Sequence, residues 1–238
     1  IGNAMVRASC ILQLALGNIG VSGGGANIFR GHDNVQGATD IGPNPDSLPG
    51  YYGLAEGSWK HFAKVWGVDF EWIKKQYAPG MMGKPGMTVS RWIDGVLEKN
   101  ELIDQDSNLR GLIFWGHAPN SQSRGLEMKK AMDKLDLRVV IDPYPSATAA
   151  MAAMPGKPED LNPNRVVYLL PASTQLETSG SVTASNRSLQ WREKVIEPLF
   201  ESRTDHMIAY QLAEKLGFGK ELVKSNKLVA GKGGMMEH

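Results

Sequence analysis

The sequence is poor in cysteine and has no long apolar run. Cys10 is the single cysteine among 238 residues, so this chain alone forms neither a disulfide framework nor a cysteine-ligated metal cluster. It lies in an apolar helical run and is predicted to be a buried, small hydrophobic side chain. No apolar stretch approaches the roughly 18 residues of a membrane-spanning helix, so we expect no direct membrane insertion.

An excess of charge of one sign is also lacking. The 26 Lys and Arg residues balance 25 Asp and Glu residues, and the two signs are mixed along the chain. Such a chain has no overall field that would recruit nucleic acid or anionic lipid, so we expect no nucleic-acid partner. The share of hydrophobic residues, 42%, is that of an ordinary globular protein.

Several well-known binding motifs are missing. There is no GxxxxGK[ST] phosphate loop, and the glycine-rich stretch at 20–25 follows a predicted helix, whereas the dinucleotide fingerprint follows a strand. Its glycines either form tight turns or line a ligand that approaches the backbone closely, and both readings stay open. His61, His206 and His238 have no metal-ligand spacing, so we interpret them as structural or surface residues and predict no metal ligand.

The apolar periodicity predicts an α/β fold with a parallel sheet. Strands at 111–115 and 137–141, both of buried parallel type, flank a helix at 124–136, which makes one Rossmann-like βαβ unit. The inner side of this helix is predicted to carry Leu126, Met128, Ala131, Met132 and Leu135. Further helices are predicted at 4–16, which should be mostly buried, at 58–77, at 90–99 with Thr88 or Ser90 as its cap, and at 204–216. Further strands are predicted at 26–29 and 166–170, with an irregular β segment at 172–195. Residues 40–53 are predicted to form an ordered loop, and 154–165 a Pro/Asn-rich insertion.

Arg30 is a candidate for binding a small anion. It follows the predicted strand at 26–29 and precedes Gly31 and a polar run. A guanidinium is a permanent planar cation whose fork matches a carboxylate, and an adjacent glycine lets a ligand come close. The alternative is a structural arginine paired with Asp33 or Asp40.

Two polar segments follow the predicted parallel strands, where α/β sheets bind their ligands. The loop from Gly116 to Ser123 precedes a helix start, whose free N–H groups suit a phosphate. Asp142, before Pro143, ends the next strand and has a carboxylate that can accept from ribose hydroxyls or a guanine edge. An N-capped turn and a solvated loop acid are the respective alternatives.

Longer segments of the sequence resemble the molybdopterin oxidoreductases, and more narrowly the catalytic α subunit of formate dehydrogenases. The resemblance covers nearly the whole chain up to about Leu216, and the stretch from Arg30 to Asp40 carries it most specifically. The segments that carry it are Arg7–Gly20, Gly23–Asp40, Trp115–Ser121, Val140–Pro143, Leu170–Thr174, Glu177, Gly180 and Asn186–Arg187.

The resemblance implies a function and a set of site residues. In that family two molybdopterin guanine dinucleotides hold one Mo or W atom, formate is oxidised to carbon dioxide, and electrons leave through iron–sulfur clusters. Arg30 matches the arginine that holds the formate carboxylate beside the metal, and His32 falls near the pterin. The candidate cofactor-binding residues are His32, Gly116, His117, Asn120, Ser121, Gln122, Asp142, Pro143 and Thr148.

The sequence also departs from the family pattern. Family members are several times longer, begin with a four-cysteine motif for a 4Fe–4S cluster, and carry a metal-ligating selenocysteine or cysteine followed by histidine. These 238 residues contain none of these features, and the chain starts without Met. We therefore expect an internal fragment, inactive alone, whose 4Fe–4S cluster belongs to a missing N-terminal part.

The expected organisation follows from the same resemblance. Residues 1–50 would end a first α/β domain, 51–165 would form a second domain that binds a pterin dinucleotide, and 166–238 would be a return segment with a C-terminal helix. Expected partners are formate, the remaining domains of the subunit and an iron–sulfur electron-transfer subunit. The parent would belong to a periplasmic or cytoplasmic membrane-associated complex.

Two other functions remain open at this stage. The chain would alternatively be a stand-alone binding module or chaperone for a molybdopterin guanine dinucleotide, which has no need of a carboxylate-binding cation at Arg30. A nicotinamide-binding α/β domain is a third reading, and the missing dinucleotide fingerprint argues against it.

Overall fold

The computed structural model describes residues 2–26, 31–43, 46–89, 91–103, 105, 107–119, 124–153, 166–184 and 186–222. The helices are α1 (Gly2–Ala15), α2 (Val35–Ile41), α3 (Glu56–Trp66), α4 (Phe70–Lys75), α5 (Trp92–Leu97), α6 (Asn100–Ile103), α7 (Gly125–Lys134), α8 (Ala147–Ala153), α9 (Asp205–Lys215) and α10 (Gly219–Leu222). The strands are β1 (Gly111–Trp115), β2 (Leu137–Asp142), β3 (Val167–Pro171), β4 (Gly180–Thr183) and β5 (Leu189–Arg192).

The three strands β1, β2 and β3 form a parallel sheet in that order, which confirms the predicted α/β class. Trp115 of β1 pairs with Ile141 of β2, and Asp142 of β2 pairs with Pro171 of β3. The carboxyl ends of all three strands therefore meet at one edge of the sheet. The predicted βαβ unit is β1, α7 and β2.

Helices cover both faces of the sheet. On one face α5 and α7 pack against Phe114 and Val140, and Met132 of α7 is 1% exposed. On the other face Ile208 of α9 packs against Ile141 and Ala172. Among the described residues, α9 packs mainly over β2 and β3 on this face. Ile113 of β1 is therefore 52% exposed there, and the expectation of a fully buried β1 was wrong.

The inner side of α7 was predicted correctly except at its first turn. Met128, Ala131, Met132 and Leu135 are buried, whereas Leu126 is 86% exposed. About 100° of rotation separates successive helix positions, so Leu126 and Met128 lie on nearly opposite sides of α7. Leu126 therefore cannot share the buried face.

The single helix expected at 58–77 is two helices. Gly67, at φ 65°, ends α3 by donating its N–H to the carbonyls of Ala63 and Lys64. The side chain of Asp69 then begins α4 by accepting from the N–H of Trp72 at 2.7 Å. The two helices share a second core around Trp59, Phe62, Ala63 and Ile73, with Leu48.

The first helix is present but is not buried. Ile11 and Leu14 of α1 are 64% and 62% exposed, and Cys10 is half-buried where a buried side chain was expected. An apolar periodic sequence shows that a helix tends to bury a face, but not that a partner surface lies within the same chain. The prediction of burial was therefore wrong for the part of the chain described.

Other boundaries differ in detail. Helix α5 begins after Arg91 without a side-chain cap, so Thr88 does not cap it, and Ser90 lies outside the described residues. The irregular segment at 172–195 contains an antiparallel hairpin of β4 and β5. The predicted strand at 26–29, beyond Ala26, and the insertion at 154–165 also lie outside the described residues. Among the described helices, none is long and apolar enough to cross a membrane.

Candidate functional site

The turn after β1 lies at the carboxyl edge of the sheet, as predicted. Gly116, at φ 54°, donates its N–H to the carbonyl of Ile141 at 2.8 Å. One residue further along the turn, the backbone carbonyl of His117 accepts from the hydroxyl of Thr148 in α8 at 3.2 Å. Thr148 is fully buried. Thr148 therefore anchors this turn to the helix that follows β2. The candidates Asn120, Ser121 and Gln122 lie outside the described residues, as does Ser123.

The far end of the same turn is held by an ion pair. Arg124, at φ 70° just before α7, contacts Asp94 of α5 at 2.7 Å and also pairs with Glu127. Asp94 is largely buried and has a second partner in Arg91 at 3.0 Å. The hydrogen bond from Arg124 holds the pKa of the Asp94 carboxyl below its usual value. Both described ends of the turn are thus fixed to the layer of helices beneath it.

Asp142 ends β2 at the same edge. Its Oδ1 accepts from the N–H of Tyr144 at 3.1 Å, and its carbonyl accepts from the N–H of Ala172 at 3.2 Å. The part of the chain that the structure describes makes no hydrogen bond to Oδ2 of this half-buried side chain. Pro143, next to it, is exposed. Asp142 therefore has a carboxylate oxygen available for a ligand hydroxyl or amine.

Two hydroxyls that sequence reasoning missed lie just beyond β2 and β3. The Oγ atoms of Ser146 and Ser173 are both buried and have no hydrogen-bond partner among the described residues. A buried hydroxyl without a partner costs roughly 1–3 kcal/mol, so such groups usually meet a ligand or water. Their position after strands of the predicted sheet was the signal that would have found them.

The segment after Arg30 is folded against the chain beyond β3. Arg30 itself lies outside the described residues. His32 is exposed, and its Nδ1 is 2.5 Å from a carboxylate oxygen of Asp33. The other oxygen of Asp33 accepts from the Gln175 side chain at 3.0 Å, and Asp40 pairs with Arg187 at 3.0 Å. The two acids considered as structural partners of Arg30 therefore each have another partner.

Gln175 belongs to a 3₁₀ turn over Gln175–Glu177, which follows β3. Its bond to Asp33 joins positions 142 residues apart and brings the segment after Arg30 to the region of the sheet's carboxyl edge. The tertiary structure thus places Asp142 and the turn at Gly116 at this edge, and places His32 on a segment that contacts the chain beyond β3. The sequence contained no local signal for this long-range contact.

Glu177, which carries part of the family resemblance, has a structural position. Its carboxylate accepts from the N–H and the hydroxyl of Thr174 at 2.6 and 2.8 Å, and from the N–H of Leu199 at 2.7 Å. These bonds, led by the one from the Thr174 backbone, hold the pKa of Glu177 below its usual value. The side chain therefore fixes the chain that leaves β3 to the chain that leads into α9.

An apolar cavity of about 920 Å³ lies elsewhere, among the aromatic residues of α3 and α4 and next to α10. It is lined by Trp59, Trp66, Trp72, Tyr77 and Phe218, among others, and by none of the predicted site residues that the structure describes. The described residues contain no cluster of His, Cys, Asp and Glu side chains that could hold a metal ion. The carboxyl edge of the sheet remains the candidate site.

Comparison with known proteins identifies the class to which this fold and site belong. A sequence model of the molybdopterin oxidoreductase family matches residues 1–215. The match includes every predicted site residue and the complete parallel sheet. The chain belongs to the molybdopterin oxidoreductase family. Membership implies a molybdopterin cofactor that carries Mo or W.

Within the family, the similar curated proteins include α subunits of formate dehydrogenases. The chain is 31% identical to a formate dehydrogenase α subunit of Methanocaldococcus jannaschii, over 90% of this chain and 27% of the relative. It is 30% identical to formate dehydrogenase subunit alpha of Megalodesulfovibrio gigas, over 91% of this chain and 24% of that relative. The formate dehydrogenase major subunit of Haemophilus influenzae is also 30% identical to the chain, over 91% of this chain and 24% of that relative. The chain spans about a quarter of the length of these relatives.

Proposed function

We propose that this chain is part of the catalytic subunit of a formate dehydrogenase, with Arg30 at the substrate pocket and the carboxyl edge of the sheet at a molybdopterin guanine dinucleotide. Alone it is inactive, because the metal ligand and the route for electrons belong to other parts of the enzyme. The domain division at 50 and 165, the 4Fe–4S cluster and the iron–sulfur partner subunit are parts of the same proposal. The similarity to formate dehydrogenase α subunits over nine-tenths of the chain is the observation that carries it.

The residues at the carboxyl edge fit a dinucleotide. Added to Gly116, a Cβ would meet no atom within 4 Å, so the backbone is open on the side where a phosphate would approach. The partnerless hydroxyls of Ser146 and Ser173 and the free oxygen of Asp142 supply donors and acceptors for sugar and base groups. The Thr148 hydroxyl holds the backbone carbonyl of His117 and so fixes the turn next to these groups.

A division of roles follows. Asp142 and the turn at Gly116 would bind and orient the dinucleotide end, where a carboxylate accepts from paired donors and helix N–H groups bind phosphate. Arg30 would hold the formate carboxylate by a bidentate, charge-assisted contact. The bound metal-pterin group supplies the two-electron redox chemistry that the side chains of this chain cannot perform.

The test is a pair of substitutions in the complete gene product that contains this chain. Arg30→Ala removes the cation, and we expect formate oxidation, followed with an artificial redox dye, to fall by about a hundredfold or more while Mo or W and pterin content stay unchanged. Asp142→Ala removes an acceptor at the dinucleotide, and we expect lower pterin content with an unchanged KM for formate in the loaded fraction.

Arg110→Ala is the matched control, because Arg110 is an exposed arginine that pairs with Asp136 away from the carboxyl edge. It should leave both activity and pterin content unchanged. Normal turnover by Arg30→Ala would refute the substrate-binding role. A complete enzyme that binds the pterin but never oxidises formate would instead favour a cofactor-binding module.

A further inference from the structure

Helix α1 stands apart from the apolar cores of the described chain. None of the three cores that the described residues form contains a residue of this helix. We propose that α1 is enclosed on all sides by the rest of the same polypeptide in the complete subunit, through an apolar surface that also supplies a partner for Arg7. This inference rests on one part of the proposed function, that the chain belongs to a longer subunit.

Apolar side chains are present on every side of α1. Successive helix positions are separated by about 100° of rotation, so residues nine positions apart lie on opposite sides. Met5 and Leu14 are such a pair, and Val6 and Ile11 lie on the two flanks between them. All four side chains are at least half exposed. A helix that is apolar all round is typical of the interior of a large protein, whereas a surface helix has one polar side.

The polar side chains of α1 are arranged in a way that suits burial. The hydroxyl of Ser9 donates to the backbone carbonyl of Met5 at 3.0 Å, within the helix. The side-chain carbonyl of Gln13 accepts from the amide of Asn18 at 2.9 Å, just beyond the helix. These groups keep a hydrogen-bond partner when water is excluded, which lowers the cost of covering them. Arg7, the one charged side chain in α1, requires a carboxylate or carbonyl group from the covering chain.

An uncovered helix of this length has little stability of its own. Helix α1 has 14 residues, and isolated helices below about 12–15 residues are marginal in water even when they are rich in alanine. Its first turn has no acidic side chain and its last turn has no basic one, so no charge offsets the helix dipole. The stability of α1 therefore has to come from packing, which the described residues do not supply.

The rest of the subunit fits α1 better than a second copy or a membrane does. A second copy or a membrane surface would cover one side of the helix and leave either Met5 or Leu14 in water. A membrane span needs about 30 Å of apolar helix, whereas 14 residues extend about 21 Å. The chain spans 27% and 24% of two formate dehydrogenase α subunits, so about three-quarters of such a subunit is available to surround the helix.

The first experiment needs no substitution and uses the complete gene product. Amide exchange across residues 4–15 should be about a hundredfold or more slower than in an unfolded peptide, at every protein concentration tested. The thiol of Cys10, which is half-buried in the described chain, should react with a maleimide about tenfold or more slowly than after unfolding. Peptide mapping by mass spectrometry identifies the labelled cysteine.

Two alanine substitutions on opposite sides of α1 distinguish an enclosed helix from an exposed one. Alanine has the higher helix propensity, so in an exposed helix Met5→Ala and Leu14→Ala should leave amide exchange unchanged or slow it. In an enclosed helix each substitution removes packed atoms, and we expect exchange in α1 to become about tenfold faster or more. Leu126→Ala is the matched control: Leu126 is an exposed leucine on α7, and exchange in α7 should not become faster.

The outcomes are distinct. Faster exchange in both variants supports the enclosure of α1, and if a variant fails to fold, exchange and labelling of the unaltered protein decide. Faster exchange in one variant only, or protection that weakens on dilution, means cover on one side and overturns the inference. Rapid exchange of α1 and rapid labelling of Cys10 in the unaltered protein also overturn it. A complete gene product that does not oxidise formate overturns the proposed function, whereas the enclosure of α1 is measured independently of activity.

Discussion

Replacing Glu177 by Gln should loosen the connection between β3 and α9. The carboxylate, 4% exposed, accepts from the N–H and hydroxyl of Thr174 through one oxygen and from the N–H of Leu199 through the other. Glutamine keeps one acceptor oxygen and has an NH₂ group in place of the second. If its oxygen stays with Thr174, two donors face each other at Leu199.

The size of the effect follows from the bond that is lost. A hydrogen bond to a charged group contributes about 1.5–3 kcal/mol, and a buried donor left without a partner costs a similar amount. We therefore expect the free energy of local opening at Leu199 to fall by about 2–3 kcal/mol, which is roughly a 30- to 150-fold faster amide exchange. Hydrogen exchange of the Leu199 and Thr174 amides, measured in the complete gene product, tests this value.

The effect should depend on pH in a defined direction. The pKa of Glu177 is held below its ordinary value of 4.5, so its stabilising contribution is complete above that value and is lost as the pH falls through the lowered pKa. The difference in exchange between the original protein and Glu177→Gln should therefore be largest near neutral pH and shrink in acid. Intrinsic exchange rates cancel because both proteins are compared at the same pH.

Glu197→Gln is the matched control, since its side chain is 79% exposed and pairs with Lys194. We expect no more than a few tenths of a kcal/mol there, because exposed ion pairs contribute little. Equal exchange at Leu199 in the original protein and in Glu177→Gln, or a difference that grows in acid, would refute the reasoning.

Two further predictions concern the sheet and its edge. Met132 is 1% exposed under the sheet, so Met132→Ala should lower the free energy of unfolding by about 2–5 kcal/mol and lower the melting temperature. Leu126 on the same helix is 86% exposed, so Leu126→Ala should change the free energy of unfolding by no more than about 0.5 kcal/mol. Equal shifts in melting temperature would contradict the assigned buried face. Thr148→Val removes the bond to the carbonyl of His117 and should lower the pterin content of the complete enzyme, while Thr148→Ser, which keeps the hydroxyl, should restore it; unchanged content in Thr148→Val would argue against the anchoring role.

The sequence alone determined the class of the fold and the edge of the sheet at which we place the candidate site. Two apolar runs flanking an amphipathic helix predict β1, α7 and β2, because only a parallel sheet covered by helices buries such runs. The carboxyl ends of these strands then place Gly116 and Asp142 together without any structure. The resemblance to formate dehydrogenases and the candidate role of Arg30 also came from the order of residues, and the family match confirms the broader class.

Burial was harder to predict, because it depends on what lies opposite a helix. The apolar residues of α1 have the composition of a buried helix and are exposed, while the same reasoning succeeded for Met128 and Met132 of α7. The break at Gly67 was also missed. An apolar periodicity can continue across two short helices, and a glycine that adopts the left-handed conformation interrupts only the hydrogen bonds.

What only the tertiary structure decided is how distant polar groups meet. Asn34 and Thr183 are 149 positions apart, and Asp33 and Gln175 are 142 apart. Neither pair has a spacing or periodicity that a sequence can reveal. Hydrogen bonds of this kind depend on the path of the chain around the whole sheet, whereas helices and strands are encoded by neighbours a few residues away. These long-range contacts therefore became visible only in the folded chain.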